Sequence, residues 1–211
     1  MVSDSGRDAG RDRANDRAND RADAADVRPC VVLIGPPGSG KTTVGQALAT
    51  LLGVELRDTD RAIEVQEGRS VSDIFLDDGE PRFRELERAE VASSLTSHHG
   101  VLSLGGGAVM DPTTAASLAG HTVVFLDVGI ADAATRVGFN QSRPLLAVNP
   151  RAQWTRMMDI RRPTYERLAT FTVLTTGRTP QDIAAEIEQR IAHVGLGHSD
   201  LETNGTGDRR E

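Results

Sequence analysis

Disulfides, structural zinc sites and membrane spans all need residue patterns that this sequence lacks. One cysteine, Cys30, stands among 211 residues, so an internal disulfide or a cysteine-rich zinc site is excluded. The longest apolar runs, such as 30–34 and 123–126, are far shorter than a membrane-spanning helix requires. The first residues are charged and contain no apolar signal core. We therefore expect a cytoplasmic protein that does not cross a membrane, with Cys30 in a buried strand.

Positive charge is also in the minority. There are 24 Lys and Arg residues against 31 Asp and Glu residues, and the formal net charge is -7. This balance argues against a general nucleic-acid binder and against a basic membrane-surface protein. Hydrophobic residues make up 38% of the chain and charged residues 26%, which is typical of one globular domain with its own core.

The two ends of the chain differ in composition from its middle. Residues 1–28 include a degenerate Arg-Ala-Asn-Asp repeat of mixed charge with almost no apolar surface to bury. Because burial cannot offset the entropy lost on ordering such a segment, residues 1–28 are predicted to form a disordered tail. The polar, Gly-rich residues 194–211 are predicted to form a second one. One folded domain is therefore expected over residues 29–193.

Strand and helix signals alternate through this domain. The run CVVLIG predicts a strand covered on both faces, and further strands are expected at 54–56, 101–104, 122–127 and 171–174. Helices are predicted after the Gly-rich loop that follows the first strand, and then from about 71, 81, 131, 151 and 180. Ser70 and Asp73 resemble a capping box, and Pro81 and Pro180 suit a first helical turn. Such alternation indicates an α/β sheet with right-handed crossovers.

The segment GPPGSGKT, residues 35–42, is the strongest motif. It matches G-x-x-x-x-G-K-[ST] and stands between a buried strand and an amphipathic helix, the context that a phosphate-binding loop requires. Its glycines let backbone N–H groups approach a phosphate, and the helix that follows adds its positive dipole end. Lys41 is expected at the β- and γ-phosphates and the Thr42 hydroxyl at Mg²⁺. The sequence therefore predicts binding of ATP or GTP, but the motif does not say what is phosphorylated.

Two pairs of charged residues are candidates for binding a substrate. Asp58 and Asp60 stand two apart at the end of a predicted strand, so both carboxylates can face one cleft, or can serve a turn and a helix cap. Arg84 and Glu87 share a helix face, which would orient the guanidinium for a carboxylate ligand, or form an ordinary exposed ion pair. Each pair alone leaves both interpretations open.

Three consecutive glycines and a set of arginines follow. Gly105, Gly106 and Gly107 come directly after the strand VLSL, where open α/β sheets bind ligands, although a flexible turn is an equal alternative. Arg143 lies in a Gly- and Asn-containing loop, and an arginine on a closing loop can neutralise charge on a transferring phosphoryl group.

Taken together and in this order, these segments resemble the shikimate kinase family. The matching pieces are GPPGSGKTT, LRDTD, GRSVSDIF, DGEPRFRELE, VLSLGGGAV, SRPLL and RRPTYERLA, spread over about residues 29–193. The resemblance implies a three-layer α/β/α P-loop kinase fold with a five-stranded parallel sheet. It also implies a helical substrate-binding insert at about 59–88 and a mobile lid at about 138–150. The implied reaction transfers the γ-phosphoryl group of ATP to the 3-hydroxyl of shikimate, in the chorismate route to aromatic amino acids, with Mg²⁺ as cofactor. The partners implied are shikimate and MgATP, and a monomer is expected.

The resemblance also implies a role for each site residue. The residues implied for ATP binding are Gly38, Ser39, Gly40, Lys41, Thr42, Thr43, Arg136, Arg143 and Arg178. The residues implied for shikimate binding are Asp60, Phe75, Phe83, Arg84, Glu87, Gly105, Gly106, Gly107 and Arg161. Of these, Lys41, Asp60 and Arg143 would be catalytic, and Thr42 and Asp58 would hold Mg²⁺.

Some choices remain open at this level. Arg161 is preferred to its neighbour Arg162 as carboxylate ligand because it begins the pattern R-x-P-x-Y. Asp127 ends an apolar strand, the place of the metal aspartate in many P-loop enzymes, whereas the resemblance favours Asp58. A kinase for another sugar acid, such as gluconate, and a nucleotide-binding regulatory module without turnover are the alternative functions.

Overall fold

A computed structural model describes residues 28–137 and 149–202 of the protein. Within them, five short strands form one sheet: β1 Val31–Ile34, β2 Glu55–Asp58, β3 Gly100–Ser103, β4 Val123–Asp127 and β5 Phe171–Leu174. All neighbouring strands are parallel, in the order β2-β3-β1-β4-β5. Strands β2 and β3 lie on one side of β1, and β4 and β5 lie on the other. Because the strand order reverses next to β1, a crevice opens at the carboxyl ends of β1 and β3. The predicted parallel sheet is confirmed.

Helices cover both faces of this sheet. They are α1 Lys41–Leu52, α2 Thr59–Glu67, α3 Val71–Asp77, α4 Gly79–Ser97, α5 Pro112–Ser117, α6 Ile130–Val137, α7 Pro150–Leu168 and α8 Pro180–Glu202. Alternate residues of β1 face opposite layers, since side chains alternate along a strand. Val31 and Leu33 pack with α1 and α8, whereas Val32 and Ile34 pack with α4 and α7. This is the three-layer α/β/α fold that the sequence predicted.

A separate small core lies under α2, α3 and the start of α4. It consists of Ile63, Ile74, Phe83 and Leu86. Ser70 caps α3, because its Oγ accepts a hydrogen bond from the Asp73 backbone N–H at 3.1 Å. The predicted N-cap is thereby confirmed, and Asp73 Oδ2 accepts a hydrogen bond from the Ser70 hydroxyl at 2.7 Å rather than forming the reciprocal backbone bond of a full capping box.

Several element ends differ from the predictions. The sequence missed α2 and α5, and α4 begins at Gly79 rather than at Pro81. The last helix, α8, continues to Glu202, past residue 193, where the folded domain was expected to end and a tail to begin. Glycine costs a helix only about 1 kcal/mol relative to alanine, so Gly195 and Gly197 did not have to end it.

Three predicted segments fall largely outside the described residues. These are residues 1–27, residues 138–148, which hold most of the predicted lid and Arg143, and residues 203–211. Across the described ranges, no helix combines the length and the apolar character needed to pass through a membrane.

Candidate active site

The phosphate loop, residues 35–42, runs from the end of β1 into the first turn of α1. Gly38 and Gly40 have positive φ angles of 82° and 90°, which favour glycine. Gly35 meets a different limit, since a Cβ there would lie 2.6 Å from the carbonyl oxygen of Leu126. The glycines of the motif are therefore required both by backbone conformation and by the close approach of β4.

The Lys41 side chain packs back against the start of this loop. Its Nζ donates to the carbonyl oxygens of Gly35 at 2.9 Å and Pro36 at 3.2 Å. Desolvation lowers the pKa of Lys41 to about 8, and the carboxylates of Asp60 and Asp58 oppose that shift. The ammonium group is still largely protonated at pH 7, so the loop carries a positive charge close to two carboxylates.

The predicted metal ligands are adjacent. Thr42 Oγ1 donates to Asp58 Oδ2 at 2.8 Å, and the buried hydroxyl of Ser103 donates to the same oxygen at 3.0 Å. Asp58 Oδ1 caps α2 by accepting from the N–H groups of Asp60 and Arg61. Mg²⁺ prefers oxygen ligands and is usually held by one or two protein groups together with substrate phosphates and waters. Thr42 and Asp58 therefore fit a nucleotide-bound Mg²⁺, and Ser103 is a neighbour that the sequence did not predict.

Asp127, the alternative metal residue, has a different partner. Arg162 on α7 donates to both of its carboxylate oxygens, at 2.8 Å and 2.7 Å, and lies over the Phe125 ring. Arg161 instead donates to the carbonyl oxygen of Gly106 at 3.0 Å. The two adjacent arginines therefore have different partners: Arg161 binds the glycine loop 105–107, and Arg162 binds Asp127 at the end of β4.

Asp60 stands in the first turn of α2 beside the glycine loop. A Cβ on Gly105 would lie 2.5 Å from Asp60 Oδ1 and 2.7 Å from Glu87 Oε1. Asp60 Oδ1 is buried and accepts no hydrogen bond from the described residues. The pKa of Asp60 is raised to about 6, mainly by desolvation and also by the carboxylates of Asp58 and Glu87, while Lys41 opposes the shift. Asp60 therefore presents an acceptor oxygen that has no partner within the described protein.

Arg84 lies at the other end of the same glycine loop. Its Nη1 donates to Glu87 Oε2 at 2.6 Å, and its guanidinium lies 5.5 Å from the ring centroid of Phe83 and 6.0 Å from that of Phe75. A Cβ on Gly107 would lie 2.6 Å from Arg84 Nη1. Glu87 is only 3% exposed, and burial raises the pKa of its carboxyl although Arg84 opposes the shift. The Arg84–Glu87 pair is therefore a packed pair facing the crevice, and the exposed ion pair that the sequence left open is wrong.

The two further arginines predicted to bind ATP, Arg136 and Arg178, have different partners. Arg136 donates to the carbonyl oxygens of residues 38–39 at 3.3 Å and 3.4 Å, and also to Thr175 Oγ1 at 3.2 Å. Arg178 donates to Glu186 Oε2 on α8 at 2.6 Å. Arg136 is thus in contact with the phosphate loop, whereas the contacts of Arg178 are with the start of α8 and the end of β5.

The remaining predicted nucleotide residues are Ser39 and Thr43. The Ser39 side chain is fully buried behind the loop, and its hydroxyl has no hydrogen-bond partner among the described residues. Thr43 has an exposed side chain in the first turn of α1. Together with Pro180 and Gln181 it lines a groove of about 430 Å³ between α1 and α8.

A phosphate loop that opens onto a pocket containing both carboxylate and guanidinium groups indicates a P-loop kinase that acts on a small anionic molecule. Comparison with known proteins narrows this class. The family model described as shikimate kinase matches residues 37–192. The chain is 58% identical to the shikimate kinase of Salinispora arenicola over 164 residues, which cover 78% of this chain and 98% of that protein. Identity to the shikimate kinase of Thermobifida fusca is 54% over 168 residues, covering 80% and 98%.

A solved structure gives the same result. The shikimate kinase from Acinetobacter baumannii in complex with shikimate matches with a TM-score of 0.74 at 34% sequence identity. The match covers 83% of this chain and 98% of that one. This chain belongs to the shikimate kinase family.

Proposed function

We propose that this protein transfers the γ-phosphoryl group of ATP to the 3-hydroxyl of shikimate and releases ADP and shikimate 3-phosphate. One observation carries the proposal: Asp60, Arg161 and Arg84 meet at the three consecutive residues of the glycine loop 105–107. Shikimate is a ring with a carboxylate at one end and neighbouring hydroxyls at the other. Its recognition needs cations and hydrogen-bond acceptors within one small pocket, and these side chains provide both.

The substrate carboxylate would be bound by Arg84 and Arg161. Buried Glu87 keeps the Arg84 guanidinium oriented through the 2.6 Å hydrogen bond, so little rotamer freedom is lost when the ligand binds. Asp60 would accept a hydrogen bond from the 3-hydroxyl. Because its pKa is raised to about 6, Asp60 is ionised at neutral pH and is a stronger proton acceptor than an ordinary carboxylate.

Phosphoryl transfer needs mainly alignment and charge neutralisation. The hydroxyl oxygen forms a bond to the γ-phosphorus while the bond from that phosphorus to the bridging oxygen breaks. ADP keeps that electron pair, and Asp60 receives the hydroxyl proton. Lys41 and Arg143 would neutralise charge on the transferring group. Thr42 and Asp58 would hold Mg²⁺, which supplies further neutralisation of the phosphates when bound.

The metal, the location and the oligomeric state are separate parts of the proposal. We propose Mg²⁺ because a hydroxyl and a carboxylate oxygen stand 2.8 Å apart beside the phosphate loop. We propose the cytoplasm because a single cysteine leaves no internal disulfide of the kind that exported proteins commonly use. A monomer is proposed because every candidate substrate group comes from one chain.

The test is ADP release with MgATP and either shikimate, quinate, gluconate or no acceptor. Saturable turnover with shikimate is expected, with loss of that turnover in Asp60→Asn. The matched control is Asp159→Asn, which removes an exposed carboxylate on α7 and should retain activity. Turnover with gluconate alone would contradict the substrate pocket but not the phosphate loop. MgATP binding without turnover on any acceptor would favour the regulatory alternative.

A further inference from the structure

In the phosphate loop, each carbonyl oxygen of residues 35–40 accepts a hydrogen bond. Lys41 bonds to the carbonyls of residues 35 and 36, Arg136 to those of 38 and 39, and a backbone N–H of α1 to that of 40. The remaining carbonyl, that of Pro37, accepts a hydrogen bond at 3.1 Å from the indole Nε1–H of Trp154. A loop that binds an anion must direct its N–H groups inward and its carbonyl oxygens outward, because carbonyl oxygens repel phosphate.

We propose that Trp154 is a positioning residue that holds the phosphate loop in its phosphate-binding conformation. The residue comes from α7, which is distant in sequence from the loop. Its side chain is 8% exposed and packs in the same cluster as Met158. The donor is therefore fixed in place before a nucleotide arrives.

Pro37 is restrained from a second direction. A Cβ on Gly106 would lie 3.2 Å from Pro37 Cδ, so the glycine loop packs directly against the proline ring. The Gly106 carbonyl in turn accepts hydrogen bonds from Arg161 and from Tyr165, both on α7. One helix thus holds the phosphate loop through Trp154 and the glycine loop through Arg161 and Tyr165.

The Trp154 bond has most effect when a nucleotide is bound. Lys41 uses the same ammonium group for the loop carbonyls and for the phosphates, so its contacts with residues 35 and 36 weaken once phosphates bind. Trp154 has no such competing role. A neutral hydrogen bond of this kind changes an equilibrium constant by about 2- to 10-fold. This inference rests on the proposed function only in requiring that the loop bind nucleotide phosphates.

The presence of a single tryptophan makes an atom-level test feasible. Biosynthetic replacement of tryptophan by 3-benzothienylalanine alters residue 154 alone and exchanges the N–H group for sulfur in a side chain of similar shape. The dissociation constant for MgADP, measured by calorimetry, should rise about 3- to 10-fold, while the KM for shikimate changes by less than about twofold. Trp154→Phe should likewise raise the MgADP dissociation constant and leave the shikimate KM within about twofold. Met158→Leu, a packing change one turn away on α7, should leave MgADP affinity unchanged.

A second measurement uses the single indole N–H resonance of the ¹⁵N-labelled protein. We expect this proton to exchange slowly with solvent and to shift on addition of MgADP. Unchanged MgADP affinity in both substituted proteins would overturn the inference. An equal rise in the shikimate KM and in the MgADP dissociation constant would also overturn it, because it would mean a general loss of packing. If wild-type protein binds MgADP but does not turn over shikimate, the proposed function fails and the Trp154 test still stands.

Discussion

Asp60→Asn should stabilise the fold while it removes activity. Asp60 Oδ1 is buried without a hydrogen-bond partner among the described residues, and the carboxylates of Asp58 and Glu87 are close to it. Desolvation and these neighbours raise the pKa of Asp60 from 3.8 to about 6. The ionised side chain is therefore less favourable in the folded protein than in the unfolded chain. Asparagine is uncharged at every pH and avoids this cost.

The size of the effect follows from the pKa difference. Raising the pKa of Asp60 from 3.8 to about 6 corresponds to roughly 3 kcal/mol of unfolding free energy, and solvent access to the crevice reduces the expected value to about 1–2 kcal/mol. Because the folded-state pKa of Asp60 is raised, its contribution to stability falls as pH increases from about 4 through about 6 and is constant above that. The extra stability of Asp60→Asn should therefore be small near pH 4 and complete near pH 7.5.

Urea unfolding followed by circular dichroism at about pH 4.5, 6 and 8 measures this difference directly. Asp58→Asn is the matched control, since Asp58 accepts hydrogen bonds from Thr42 and Ser103 and caps α2. That variant should lose about 1–2 kcal/mol of stability at neutral pH. A stability difference for Asp60→Asn that is negative at pH 7.5, or that does not vary with pH, would refute the desolvation argument. Retained turnover would refute the assignment of Asp60 as proton acceptor.

Other substitutions separate the roles of neighbouring groups. Lys41→Ala should lower the kcat for shikimate-dependent ADP release by at least ~10²-fold, because a preorganised charge contact is lost, and wild-type turnover would contradict its role. Arg161→Ala should raise the shikimate KM about 10- to 100-fold with little change in the ATP KM. Arg162→Ala should instead lower the unfolding free energy by about 1–3 kcal/mol, because Asp127 loses its partner. A raised shikimate KM in Arg162→Ala, with lost stability in Arg161→Ala, would mean that the two arginines have the opposite roles. Gly105→Ala should abolish shikimate turnover, because the added methyl group would collide with the Asp60 carboxylate, but should retain MgADP binding measured by calorimetry. Normal turnover would mean that this carboxylate can move away from the methyl group.

Much of the fold was readable from local patterns. The strand 171–174 and the helix start at Pro180 lie where the sequence predicted them. The helix α2 was missed because it begins directly after β2, with Asp58 serving both as the last strand residue and as the cap. The helix α5 is only six residues long and shows no apolar periodicity. The sequence signal for this helix was Asp111 followed by Pro112, an N-cap residue followed by a proline at the first helical position.

The site was readable only in part, because motifs do not state which distant segments meet. Ser103 reaches Asp58 because β2 pairs with β3 and places these two residues opposite each other, and that strand order is not visible in the local pattern. The same limit applies to Trp154, which is far from the loop in sequence. Arg161 and Arg162 are adjacent on one helix and point in different directions, so only the placement of α7 separates their roles.

The three glycines of the loop 105–107 are explained by close packing, which the sequence pattern did not reveal. Gly105, Gly106 and Gly107 are absent from the positive-φ glycines of the described chain, so their backbone conformation does not require glycine. Space requires it instead. A side chain at 105 would collide with the Asp60 carboxylate, and one at 107 with the Arg84 guanidinium. The Asp60 carboxylate and the Arg84 guanidinium therefore lie against the backbone of one short segment that directly follows β3, which brings an acceptor and a cation close together.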